Sequence, residues 1–228
     1  MRNSKFQLME KEMDSVLPMV CSIERNRERL SGMPHTVVED MAVLYYLAED
    51  KAAEGGKEAG KVFVTSDFLE RWETDVKTIH AAAVKNIGKM ERIVFRDIRD
   101  IYVDALMEMA EPGESREEIE AMVPENGKKL YAVGLKSGEY GAAVILNDGV
   151  RQIVAETVGK EYYILPSSVN EAIVISKEED VTPEELKEAV CGMNAELPPE
   201  LALTDSIYEY NAVAHEFRQA AEYIEETV

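Results

Sequence analysis

YYILPSSVNEAIVI, Tyr162 to Ile175, joins two short apolar runs through Pro166-Ser167-Ser168, with Asn170 and Glu171 just beyond. Each run has the length and the β-branched and aromatic content of a buried strand. The proline and serines between them read as a turn in which the hydroxyls satisfy local backbone groups. The same four polar residues, Ser167, Ser168, Asn170 and Glu171, are also the candidate surface for chemistry, as the centre of a hydrolase or transferase. A serine nucleophile needs a base, an orienting acid and an oxyanion site, and a hydrolase elbow would read GxSxG. No glycine flanks either serine, and His35, His80 and His215 are scattered along the chain.

Outward from this motif the second half is well punctuated. LYAVGL and GAAVIL flank a five-residue connection containing Gly138, which predicts a β-hairpin. Asn147 or Asp148 caps a helix with Val150, Ile153, Val154 and Val158 on its apolar face, ended by Gly159. Thr182, Pro183 and Glu185 open another helix. SIYEY alternates like a strand, and Val213, Phe217, Ala221, Ile224 and Val228 step at helical spacing, predicting an acidic tail helix.

In the first half, VLPMVCSI reads as a short strand or a buried turn, with Pro18 arguing for a sheet edge. MAVLYYLAED and KVFVT form a hairpin around the glycine-rich loop KAAEGGKEAG. After Thr74, Val76, Ile79, Ala83 and Ile87 mark a helix for which Gly88 supplies a left-handed cap. The helical pattern resumes from Val94 to Met109, and Ser115 with Glu118 forms a capping box for a short helix to about Met122. Hairpins and helices without regular β-α-β alternation give an α+β class, with antiparallel hairpins and a mixed sheet packed by amphipathic helices. Residues 1–125 form a hairpin-plus-helices region and 126–228 a second α+β region, as two units or one continuous domain.

Of 228 residues, 46% are hydrophobic, enough for a core; 45 acidic residues against 25 basic ones leave a net charge of −20. Such a charge repels phosphate backbones, and the nearest basic stretch, IERNRERL, is diluted by two glutamates and reads as a solvated helix face. Acidity concentrates in Glu111–Glu125 and in residues 196–228, surfaces suited to solubility or to a basic protein partner. No apolar run approaches a membrane span, and the N-terminus carries charge where a signal peptide would be apolar, so a soluble cytoplasmic protein is expected.

Cys21 and Cys191 lack metal-ligand spacing and read as reduced, buried thiols. Neither nucleotide-cradling glycine motif follows a strand. No catalytic residue, cofactor or metal is therefore assigned. His80, on an apolar stripe, reads as a satisfied core histidine. Asp97, Asp100 and Asp104 share a helical face with Arg96 and Arg99 alongside, which suits a salt-bridged surface better than a metal site. Trp72 is expected to anchor a helix start to the core, or else to stand exposed as a partner contact.

Several ordered blocks, MPHTVVEDMAVLYYLAED, FLERWETDVKTIHAAAVKNIGKM, YGAAVIL, YYILPSSVNEAIVI and TDSIYEY, together resemble a bacterial family known only as a domain of unknown function. That family is found in several copies per genome in anaerobic gut bacteria. The likeness spans roughly residues 10 to 210, so the stretch from Val213 onward departs from it. The family usually carries histidine followed by glutamate where this chain has Asn170-Glu171. The resemblance implies no activity and no cofactor, and the expectation is a non-catalytic protein that binds a protein partner, or a second copy of itself, through acidic surfaces.

Overall fold

The computed structural model describes residues 11–48, 60–111, 113–124 and 127–220. Two antiparallel sheets organise the chain. In the first, β1 (Val16–Ser22) and β3 (Met41–Ala48) pair along their length, and β2 (Thr36–Val38) and β4 (Lys61–Phe63) share the other edge of β3. All seven β1 residues are buried, and Pro18 lies on a strand whose only partner among the described residues is β3, as its missing N–H requires. Between β1 and β2 runs a single helical turn, α1 (Arg27–Leu30). Its Leu30 is buried and its charged residues face out, as expected of that basic stretch. Residues 51–59 of the glycine-rich loop lie outside the described residues.

After β4 come α2 (Ser66–Trp72) and α3 (Val76–Ile87). Trp72 closes α2 rather than opening a helix, is only 2% exposed, and donates its Nε1–H to Glu12 at 2.7 Å. The cap of α3 is Asp75, not Thr74, and its carboxylate accepts from the Thr78 N–H. Gly88 ends the helix at φ −71°, so left-handed geometry is not its purpose. A Cβ there would lie 2.4 Å from the Asn147 side chain, which donates to the Val84 carbonyl and also caps a later helix. The glycine makes room for that bridge.

The second sheet has the order β10-β9-β7-β8-β6-β5 with every pairing antiparallel: β5 (Ile93–Asp97), β6 (Leu130–Leu135), β7 (Glu161–Leu165), β8 (Glu171–Ser176), β9 (Tyr208–Asn211) and β10 (Glu216–Gln219). The helical pattern expected from Val94 onward is therefore strand to Asp97, and only then α4 (Ile98–Met109). Pairing with β6 decides this, since residues 93–97 fill one edge of the sheet. The tail helix is also overturned where it is described: residues 216–219 are strand, paired to β9 through a turn with His215 at φ 54°, and residues 221–228 lie outside the described residues.

GAAVIL is not the return strand of a hairpin. Residues Gly141–Leu146 form a 3₁₀ segment with all six residues buried. The run is apolar because it is enclosed on every side, which erases the difference between strand and helix patterning. The capping boxes at Ser115 and Thr182 stand as read, opening α5 (Arg116–Met122) and, with Pro183 in its first turn, α7 (Pro183–Glu196). Between them α6 (Asp148–Val158) is capped by Asn147.

Alternation along β7 and β8 shows why both runs are wholly apolar. Tyr162, Ile164, Ala172 and Val174 enter a core shared with the first sheet, α3, α6 and the 3₁₀ segment. Leu165 and Ile175 face the other way, with Tyr163 and Ile173 partly buried, against Leu186 and Val190 of α7. Both faces of the sheet are covered. Cys21 is buried as expected, whereas Cys191 is exposed on α7.

Candidate functional site

Pro166-Ser167-Ser168 is tied down by its own hydroxyls. Ser167 Oγ donates to the Glu171 carbonyl at 3.3 Å, and Ser168 Oγ accepts the Asn170 N–H at 3.1 Å. Asn170 Oδ1 accepts the N–H of Tyr140, a residue held at φ 55° just before the 3₁₀ segment. Ala142 N–H donates to the Val169 carbonyl, and Val169 N–H to that of Leu201. The four expected surface residues are thus brought together, with Ser168 buried and Glu171 exposed. No histidine reaches them: His35 bonds the Met33 carbonyl, His80 the Tyr45 hydroxyl, and His215 Asp148.

The polar residues that do converge come from elsewhere. At the start of α6, Asp148 accepts from Tyr210 Oη at 2.6 Å and Arg151 Nη2 at 3.2 Å, while His215 Nδ1 lies 2.7 Å from its second oxygen. Burial alone would raise this carboxyl; hydrogen bonds from Tyr210 and His215 and the Arg151 charge outweigh it and hold the group below the ordinary carboxylate range. Burial and the facing Asp148 push the Tyr210 phenol upward. Gln152 donates to Tyr210 Oη and the Ala212 carbonyl, so the cluster fastens the turn between β9 and β10 onto α6. On β9 itself, Glu209 is clamped by Lys177 and Arg218, each at 2.5 Å; burial would raise its carboxyl, and the two cations lower it. A third set joins the sheets: Asp40 accepts from Tyr208 and Ser206, and Glu39 from the Gln219 N–H. His80 is half-buried and satisfied, and burial lowers its pKa.

Among the described residues no group of three or more histidine, cysteine or carboxylate side chains could hold a metal. Asp97, Asp100 and Asp104 separate: Asp97 caps α4 through the Arg99 N–H, and Asp104 is bridged by Arg96 and Arg116, whose hydrogen bonds lower its pKa. This is the salt-bridged surface the sequence suggests.

The α4 and α5 helices form an arm with a small core of its own, Val103, Ile119 and Val123. Met109 is 83% exposed at the end of α4, and Met122 is 69% exposed at the end of α5. Glu108, Glu111 and Glu117 are exposed and carry no cationic partner among the described residues. At the base of the arm is a cavity of about 520 Å³ lined by Asp97, Ile98, Arg99, Tyr102, Val123, Pro124, Lys128, Lys129 and Leu130. Sequence reasoning missed this place; the adjacent lysines before β6 were its one visible sign.

Residues 1–212 match the family of unknown function DUF5688, and the chain belongs to that family. Neither a curated protein nor a solved structure matches it. No helix among the described residues is long and apolar enough to cross a membrane.

Proposed function

We propose that this is a non-catalytic protein that binds a basic protein partner through the acidic α4–α5 arm. The observation that carries the reading is Met109, 83% exposed next in sequence to Glu108 and close to Glu111, with Glu117 exposed on α5, none of the three neutralised by a cation among the described residues. Methionine adapts its shape to a partner, and uncompensated carboxylates select a cationic one and speed its approach. The arm's own core leaves these residues free of any duty in the main core. A hydrolase or transferase centred on Ser167, Ser168 and Glu171 finds no comparable support, because both hydroxyls serve the turn.

The test is calorimetric titration of the full chain with a lysine-leucine amphipathic helical peptide, and with the same peptide carrying glutamate for lysine. Binding of the basic peptide alone, weakened about tenfold by Met109→Ser with Glu108→Lys and Glu111→Lys, supports the reading; the affected side chains are exposed, so the melting temperature should hold. Equal affinity in the variant, or no binding of the basic peptide, overturns it.

A further inference from the structure

The cavity at the base of the arm has a wall chemistry opposite to that of the molecule. Three cations, Arg99, Lys128 and Lys129, line it against one carboxylate, Asp97, in a chain with 45 acidic and 25 basic residues. That carboxylate is already engaged, accepting the Arg99 N–H at 2.8 Å as the cap of α4. The Arg99 guanidinium is held by two backbone carbonyls, Glu120 at 2.8 Å and Val123 at 3.4 Å, and by no carboxylate. Its Nε is buried without a hydrogen-bond partner. The Lys128 and Lys129 side chains are exposed and make no hydrogen bond or ion pair among the described residues. Positive charge is therefore gathered at this wall; of the carboxylates beside it, Asp97 caps α4 and Glu179 accepts the Lys129 backbone N–H at 3.3 Å, and neither forms an ion pair with a lysine head group.

The remaining wall is apolar and aromatic, with Ile98, Val123 and Leu130 beside a Tyr102 that is 56% exposed. About 520 Å³ lies within the range of small-molecule sites, roughly 300–1,000 Å³, which pair an apolar lining with a few placed polar groups. We propose that the cavity binds a small organic anion, its phosphate or carboxylate held by Lys128 and Lys129, and its flat apolar body against Tyr102. This goes beyond partner docking, which uses the outward face of the arm.

Calorimetry on the full chain tests it with AMP, adenosine, 4-phenylbutyrate and 4-phenylbutanol as probes, two pairs that each differ in the anionic group. Binding of AMP over adenosine assigns phosphate, and binding of phenylbutyrate over its alcohol assigns carboxylate; either supports the site. The Lys128→Gln/Lys129→Gln variant should then lose at least tenfold in affinity at an unchanged melting temperature, and Tyr102→Ala should weaken the same probe. If neither anion outbinds its neutral analogue, or if the lysine variant binds as the wild type does, the proposal fails.

Discussion

Gly141 shows how a single residue fixes the junction around the serine turn. A Cβ there would fall 2.4 Å from the Asn170 carbonyl oxygen and 2.4 Å from the Leu135 nitrogen, both backbone atoms that move only with their strands. Gly141→Ala is expected to cost about 3 kcal/mol, the upper end for overpacking, in a denaturant melt. Asn170→Ala removes the acceptor of the Tyr140 N–H and should cost about 1–3 kcal/mol, more than Ser167→Ala, whose hydroxyl makes one long bond. Equal stability of the two variants would take Asn170 out of the turn's support. Titration belongs to this scale too. The Asp148 and Glu209 carboxyls lie below their ordinary values in the folded state. Their stabilisation is then fully present above the unfolded values of about 4, and is lost as pH falls through the lower folded ones. Glu209→Gln should flatten the acid limb of stability against pH, read from melts between about pH 6 and pH 2.

Individual elements divide by whether local signals or pairing shaped them. Thr182→Ala strips one half of a capping box and should cost about 1 kcal/mol. Ile164, 1% exposed on a strand with neighbours on both sides, should cost about 2–5 kcal/mol as alanine, while half-buried Ile173 should cost less. Phe217 of β10 stacks on Tyr208 and lies under the Arg151 guanidinium, so a chain ended at Ala212 uncovers both. That truncation is expected to melt lower; an unchanged melting temperature would make β10 dispensable. The caps at Ser115, Asn147 and Thr182 were readable because a cap is a contract between residues three apart. β5 and β10 were not, because Val94 and Phe217 recur at spacings that suit helix or strand until a neighbouring strand claims the backbone.

For the whole molecule, one hydrophobic core takes Val20 and Tyr45 from the first sheet and Ile164 and Tyr208 from the second. A single cooperative melt is expected, with circular dichroism and tyrosine fluorescence superimposing; separate transitions would divide the two regions at residue 125 into independent units. With a net charge of −20, and with the cations of the cavity confined to Arg99, Lys128 and Lys129, the protein should show no salt-sensitive retention of DNA or RNA at physiological ionic strength. Retention that falls steeply with added salt would reveal a basic surface beyond Arg99, Lys128 and Lys129.

The sequence by itself determined the α+β class, the strands at Met41, Tyr162 and Ala172, and the capped helices, because alternation, punctuation and capping act between residues close in the chain. It also placed Pro166, Ser167 and Ser168 in a turn between two strands. Tertiary structure alone decided that GAAVIL coils as a buried 3₁₀ segment, that residues 216–219 return as a strand beside β9, and that Asp148 meets His215. It alone brought Arg99 beside Lys128 and Lys129 at the foot of an acidic arm. These outcomes depend on contacts between residues tens of positions apart, whose free energy becomes available only once the chain has closed the loops between them.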